Sequence, residues 1–253
     1  MEIGLVQYNP IWEDKGKNKE KLNSILSGIP GKERILIFPE MTLTGFTMKA
    51  SLYAEPMNGE SFEYFSEIAG KYNSDILAGL IEAKDGKFFN SLIHIDSRGK
   101  LISVYRKIHP FSYSTEDKHY SRGTETVITR AGDFKIGLSI CYDLRFPELY
   151  RYYGKERVEL IVVIANWPIT RIEHWRTLLK ARAIENQCYV AGVNRVGKDP
   201  KLIYNGYSSV YDPMGNEIIT NADDEKILTA EISSYNVKEV QNNLPFLNDI
   251  YLI

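Results

Sequence analysis

The sequence predicts an α/β protein: a four-layer α-β-β-α sandwich of two similar β-α-β-α-β-β-β halves, forming one domain over residues 1–253. Three observations predict it. Four sequence landmarks recur in the same order in both halves. Between them, short apolar strands alternate with stretches of helical periodicity. One strand in each half, ILIF and LIVVIA, is almost wholly apolar, as strands of parallel sheets are when both faces are covered.

The landmarks run as follows along the chain. EIGLVQYN at the start resembles KIGLSICYD, with Gly4 opposite Gly137. ILIFPE, ending at Glu40, resembles LIVVIAN, ending at Asn166. A helix follows in each half: Phe62, Phe65, Ile68 and Tyr72 recur at helical spacing in SFEYFSEIAGKY, as do Trp175, Leu178 and Leu179 in EHWRTLLKARAIENQ. ILAGLIE then resembles YVAGVNRV, Gly79 opposite Gly192. Each half closes on a hairpin whose turn, DSRG or DPMG, has Asp first and Gly fourth, the preferences of a type I turn. Helices on one side leave the other face of each sheet bare. Packing the two bare faces together gives the sandwich.

Bulk properties exclude several classes. Basic and acidic residues number 31 and 33, for a net charge of -2, with no basic stripe, so no nucleic-acid partner is expected. The longest apolar stretches, such as Leu160–Ala165, fall far short of the roughly 20 residues that span a bilayer, so no membrane partner is expected either. MEIGLVQYNP lacks the features of a signal peptide and reads as a first strand. Two cysteines make no disulfide framework, and a reducing cytoplasm is the expected location.

Chemistry is expected at the carboxyl ends of the strands. Cys141 ends KIGLSI and precedes a helix over Pro147–Tyr153. A thiol at such a junction meets positive helix-end potential, which would lower its pKa; a buried, inert cysteine is the other reading, and Cys188 in NQCYVAGV fits that one. Glu40 ends its strand behind an apolar run, where a carboxylate is costly unless paired. Beyond the first hairpin, strand alternation puts Arg106 and Lys107 on opposite faces and leaves open which points inward. A thiol needs a base and a cation to make and stabilise an oxyanion. Glu40 with Lys107 would serve, and so would His109, which shares a strand face with Lys107.

FPEMTLTGF, YRKIHPF and LSICYDLRFPEL resemble, in this order, the glutamate, lysine and cysteine motifs of the nitrilase, or carbon–nitrogen hydrolase, superfamily. The resemblance covers essentially the whole chain. It implies Glu40 as general base, Lys107 as oxyanion and orienting cation, and Cys141 as nucleophile, with the backbone N–H of Tyr142 as a second oxyanion donor. STEDKHY supplies Glu116 at the position of a second glutamate the family often has. The implied reaction is cofactor-free and metal-independent hydrolysis of an amide through a thioester, releasing ammonia; no His-Glu-x-x-His or Walker A motif is present.

GFTM, ANWPITRIEHW and ARAIENQCYVAGVNRVG resemble the omega-amidases, which deaminate 2-oxoglutaramate and 2-oxosuccinamate. Such substrates carry a carboxylate, and Arg145 and Arg171 are the candidate cations. Arg145 could instead pair with Glu148 or Asp143. Phe46 and Trp167 are candidate pocket walls. Other amidases, N-carbamoyl amino-acid hydrolases and nitrilases share the chemistry, and a catalytically silent scaffold would share the fold. A homodimer or higher homo-oligomer through the helix HWRTLLKARAIENQ is expected by the same likeness, although LPFLNDIYLI lacks the arginines often found in that tail.

Overall fold

The computed structural model describes residues 1–32 and 34–252, so Ile253 of the C-terminal tail lies outside the described residues. The first half runs β1 (Glu2–Gln7), α1 (Lys15–Leu26), β2 (Arg34–Ile37), α2 (Ala50–Tyr53), α3 (Glu60–Tyr72), β3 (Asp75–Lys84), β4 (Lys87–Ile95) and β5 (Leu101–Arg106). β6 (Ile128–Ala131) closes the first half, and the second runs β7 (Phe134–Ile140), α4 (Pro147–Lys155), β8 (Leu160–Ala165), α5 (Ile172–Asn186), β9 (Tyr189–Asn194), β10 (Val196–Lys198), β11 (Ile203–Tyr211), β12 (Glu217–Ala222), β13 (Lys226–Glu231) and α6 (Ser234–Asn243).

The repeat is real in three dimensions. β1, β2 and β3 are parallel and continue into antiparallel β4 and β5. β7, β8 and β9 are parallel and continue into antiparallel β11 and β12. The two hairpin turns match in detail: Asp96 Oδ1 accepts the N–H of Arg98 and Lys100, and Asp212 Oδ1 accepts those of Met214 and Asn216. Gly99 and Gly215 both have φ 81°, a left-handed conformation that a side chain would oppose.

The seven-element unit is nevertheless incomplete. Each half also sends a strand to the other half's sheet. β6 pairs antiparallel with β7, and β13 returns to pair antiparallel with β1. One edge strand of each sheet thus comes from the opposite repeat, which ties the halves together and pairs the outer side of β1 and of β7. His94 on β4 adds a cross-link, its Nδ1 lying 2.6 Å from Thr129 Oγ1 on β6.

Alternation inside the apolar strands builds the layers. Ile3, Leu5, Ile35, Ile37 and Leu77 pack into the core between the sheets. Their neighbours Val6, Leu36, Ile76 and Ala78 pack outward against Leu22 and Leu26 of α1 and Phe65, Ile68 and Tyr72 of α3. Successive strand side chains face opposite ways, so a strand covered on both sides must be apolar throughout. α5 buries Trp175 and Leu179 as the spacing predicts, and also Arg182 and Asn186. Arg182 donates to the Leu144 carbonyl (2.8 Å) and Asn186 to the Arg182 carbonyl (3.0 Å). The inner face of α5 is therefore mixed, not simply apolar. Cys188 is fully buried. Among the described residues no helix is long and apolar enough to cross a membrane.

Candidate active site

Glu40 lies just beyond β2, in a turn that passes directly over β3. A Cβ on Gly79 would stand 2.5 Å from Met41 N and 2.8 Å from Glu40 Cα, so only glycine lets the turn settle. Lys107 leaves β5 between two backbone anchors: its N–H donates to the Asn90 carbonyl (2.9 Å) and its carbonyl accepts from Gly123 N–H (2.8 Å). Glycine is required there too, since a Cβ on residue 123 would lie 2.1 Å from the Arg106 carbonyl oxygen. Alternation then resolves the pair at the strand end. Arg106 turns to Glu82, and Lys107 turns inward.

Three of the expected residues meet in one buried cluster. Lys107 Nζ donates to Glu40 Oε1 (2.8 Å) and to both oxygens of Glu116 (3.2 and 2.9 Å). Glu116, not its neighbour Asp117, is the inward acid. Its Oε2 also accepts the Phe111 N–H (2.5 Å). Burial works against the Lys107 ammonium, but the carboxylates of Glu116 and then Glu40 outweigh it and hold its pKa well above the ordinary value. Glu116 is pushed up, first by burial, against the pull of Lys107 and with a further push from Glu40. Glu40 Oε2 is held by Asn166, whose backbone N–H donates at 2.9 Å and whose side chain donates to the Glu40 carbonyl at 2.7 Å. The repeat pairs these two positions in sequence, and the sandwich brings them into contact.

Cys141 begins a short 3₁₀ turn, Cys141–Arg145, after β7. Its φ is 47°, a left-handed conformation that costs a side-chain-bearing residue roughly 1–3 kcal/mol. Asp143 holds the turn, accepting the Ile140 N–H (3.0 Å) and the Tyr105 hydroxyl (2.7 Å). The Tyr142 N–H sits in the first turn, where no helical carbonyl reaches it. Cys141 Sγ lies 4.0 Å from the Asn166 carbonyl oxygen. The expectation of a lowered thiol pKa is reversed. Burial, and then the Glu40 carboxylate, push the Cys141 thiol well above its ordinary value despite the Lys107 ammonium.

Cys141 opens onto a cavity of about 310 Å³ that is also lined by Phe46, Tyr142, Arg145, Trp167 and Arg171. The Phe46 ring lies under Lys107 Nζ (5.3 Å to its centroid). The Arg145 guanidinium stacks over Trp167 (4.9 Å), and that of Arg171 over Phe111 (5.6 Å). Among the described residues neither arginine has a carboxylate partner; Arg145 reaches His174 Nδ1 (3.2 Å), not Glu148 or Asp143. His109 is not brought to the cavity. Asp143 Oδ1 takes its Nδ1 (2.8 Å) and its ring stacks on Phe146.

Sequence reasoning missed Asn90, and it missed Trp12, Glu13, Lys49, Lys201 and Tyr204 in the cavity wall. Glu13 is already engaged, accepting from Lys49 Nζ at 2.6 Å. Trp12 and Glu13 follow β1 at its carboxyl end, a position that could have singled them out. Among the described residues no group of His, Cys, Asp or Glu is arranged to hold a metal ion.

Two sheets packed face to face thus hold an acid–ammonium cluster beside a cysteine that lines a pocket. The chain belongs to the carbon–nitrogen hydrolase family: residues 2–242 match the family described as Carbon-nitrogen hydrolase. Amidohydrolase activity follows from that membership and from similarity to amidases. The chain is 31% identical over 258 residues to a "Hydrolase in agr operon" of Staphylococcus aureus, covering 100% of this chain and 98% of that one. It is 30% identical over 250 residues to the 2-oxoglutaramate amidase of Bacillus subtilis (strain 168), covering 98% and 96%. A crystal structure of a CN-hydrolase superfamily protein from Xanthomonas campestris, with an arsenic adduct in its active site, superposes with a TM-score of 0.95 at 32% identity, covering 100% of this chain and 98% of that one.

Proposed function

We propose that this enzyme is an omega-amidase that hydrolyses the terminal amide of 2-oxoglutaramate and 2-oxosuccinamate through a Cys141 thioester. The observation that carries the substrate assignment is the pair of guanidinium groups, Arg145 and Arg171, that line the Cys141 cavity without carboxylate partners among the described residues. An anionic substrate supplies the missing charge. The likeness to a 2-oxoglutaramate amidase supports the same substrate.

The steps follow from the protonation states. Cys141 rests as a thiol, so attack and deprotonation are coupled: Sγ bonds to the amide carbon as Glu40 takes the thiol proton. The Lys107 ammonium has three N–H bonds. All three meet Glu40 or Glu116 oxygens, the longest contact being to Glu116 Oε1 at 3.2 Å, and the oxyanion would take the place of that contact, with the Tyr142 N–H as second donor. Glu40 returns the proton to nitrogen, the C–N bond breaks, and ammonia leaves a thioester. Water then attacks that carbonyl, giving its proton to Glu40. The intermediate collapses to the carboxylic acid, and Glu40 restores the Cys141 thiol.

Steady-state ammonia release from 2-oxoglutaramate, 2-oxosuccinamate, glutamine, carbamoyl amino acids and simple nitriles tests the reading. The two 2-oxo acid amides should show the highest kcat/KM. Arg145→Met and Arg171→Met should each raise KM for 2-oxoglutaramate by about tenfold. A rank for 2-oxoglutaramate near the bottom would reject the substrate.

His109→Asn provides a contrast. With His109 tied to Asp143, its loss should leave kcat within about threefold, short of the loss expected on removing a general base. A loss of four orders of magnitude would move the base from Glu40 to His109.

A further inference from the structure

We infer that Asn90 is a positioning residue of the amidase reaction, its side-chain amide holding Glu40 and Glu116 together in the charged arrangement that lets Glu40 act as base. The inference rests on the reading of Glu40 as the base. Asn90 Nδ2 donates to Glu40 Oε1 at 2.7 Å and to Glu116 Oε1 at 2.8 Å. A primary amide has two N–H bonds, so each carboxylate takes one. Lys107 Nζ contacts the same two oxygens, at 2.8 and 3.2 Å. The two Oε1 atoms are thus bridged twice, once by an ammonium and once by a neutral dipole. The Asn90 carbonyl also accepts the Lys107 N–H (2.9 Å), so one residue touches all three members of the cluster.

A neutral bridge does what a second ammonium could not. Two buried carboxylates with one ammonium and a neutral thiol carry a net charge of about −1. A second cation would neutralise Glu40 further and weaken it as a base. Asn90 instead supplies a hydrogen bond to each anion and no charge. Its hydrogen bond lowers the pKa of Glu116 against burial and the charge of Glu40, so it favours the ionised pair. Asn90 is 1% exposed, and its buried Oδ1 has no hydrogen-bond partner among the described residues, so the amide is oriented by its N–H donors. β4 places it there: Asn90 stands opposite Ile81 on β3, two residues along that strand from the Gly79 that admits the Glu40 turn. The titratable groups that interact with the pair are Lys107 from the end of β5, the Cys141 thiol from the end of β7, and the Tyr120 hydroxyl, whose pKa burial and then both carboxylates push up and which donates to the Thr47 carbonyl (2.7 Å).

The test is the pH profile of ammonia release for Asn90→Leu and Asn90→Asp, with Glu40→Gln run beside them. Asn90→Leu removes both hydrogen bonds. It should lower kcat by about ten- to a hundredfold, leave KM within about threefold, and move the acidic limb of kcat/KM up by about one pH unit. Asn90→Asp keeps the shape but replaces the donor with a third carboxylate, and should lose more. A purely structural Asn90 would lower the melting temperature and the amount of active enzyme without moving that limb. Either variant keeping the wild-type limb, or Asn90→Asp keeping kcat within threefold, overturns the inference. Full activity in Glu40→Gln would instead overturn the base assignment, so the two failures are distinguishable.

Discussion

Replacing Cys141 with alanine is expected to reduce ammonia release from 2-oxoglutaramate by about ten-thousandfold or more, with little change in melting temperature. Cys141 lines the cavity at a turn fixed by Asp143, so removing its sulfur enlarges an existing pocket and opens no new core cavity. Alanine also keeps the cost of φ 47° that cysteine already bears, so the backbone term cancels between the two proteins. What alanine cannot do is form the acyl-enzyme. Rapid acid quenching followed by intact-mass measurement should find the wild-type chain carrying the acyl group of the substrate, and the variant unmodified. The resting thiol gives a second readout. With burial and Glu40 both opposing the thiolate, alkylation of Cys141 by iodoacetamide should be slow at neutral pH and accelerate well into the alkaline range. Alkylation that is already maximal at pH 6 would mean a pre-formed thiolate and a different division of labour with Glu40.

That reversal marks where the sequence stops being legible. The junction of β7 with the following turn is readable from KIGLSICYD, and so is a helix-end potential. The charges that decide the thiol's state come from Glu40, Lys107 and Glu116, far away along the chain, and only the sandwich brings them near. Strand periodicity carried the layered fold because a buried sheet writes itself into consecutive residues. It did not carry the exchange of β6 and β13, because ITRA and KILTAE say that they are strands but not whose edge they will join. Lys107 against Arg106 is intermediate: alternation separates them, and the choice needs Glu82 on one face and Glu40 on the other. Asn90 was hidden by its surroundings. An amide inside KFFNSLIHI reads as an ordinary half-buried strand residue until two carboxylates are seen to share it.

Lys107→Met is expected to slow hydrolysis steeply and to destabilise the fold in a pH-dependent way, and the two effects have separate causes. Loss of the oxyanion cation alone should cost about a hundred- to a thousandfold in kcat. Stability responds to what remains. The ammonium is 1% exposed and sits between two carboxylates that are buried with it. Methionine fills similar space but leaves both acids without their counter-ion, and breaking a buried pair from one side costs about 3–5 kcal/mol. Protonating one acid relieves that cost. Burial and Glu40 already raise Glu116, with Lys107 opposing them, so removing Lys107 raises it further. A carboxyl whose folded pKa exceeds its unfolded value of about 4.5 favours the fold fully below that value, and the benefit is lost as pH rises through the folded pKa. The melting-temperature deficit of Lys107→Met should therefore be small near pH 5 and large near pH 8. In the wild type Lys107 remains charged throughout that range, because its own pKa is raised above 10.5. A deficit that stayed constant from pH 5 to 8 would mean that the two carboxylates do not depend on Lys107 for their charge, and would remove the electrostatic basis for assigning it the oxyanion.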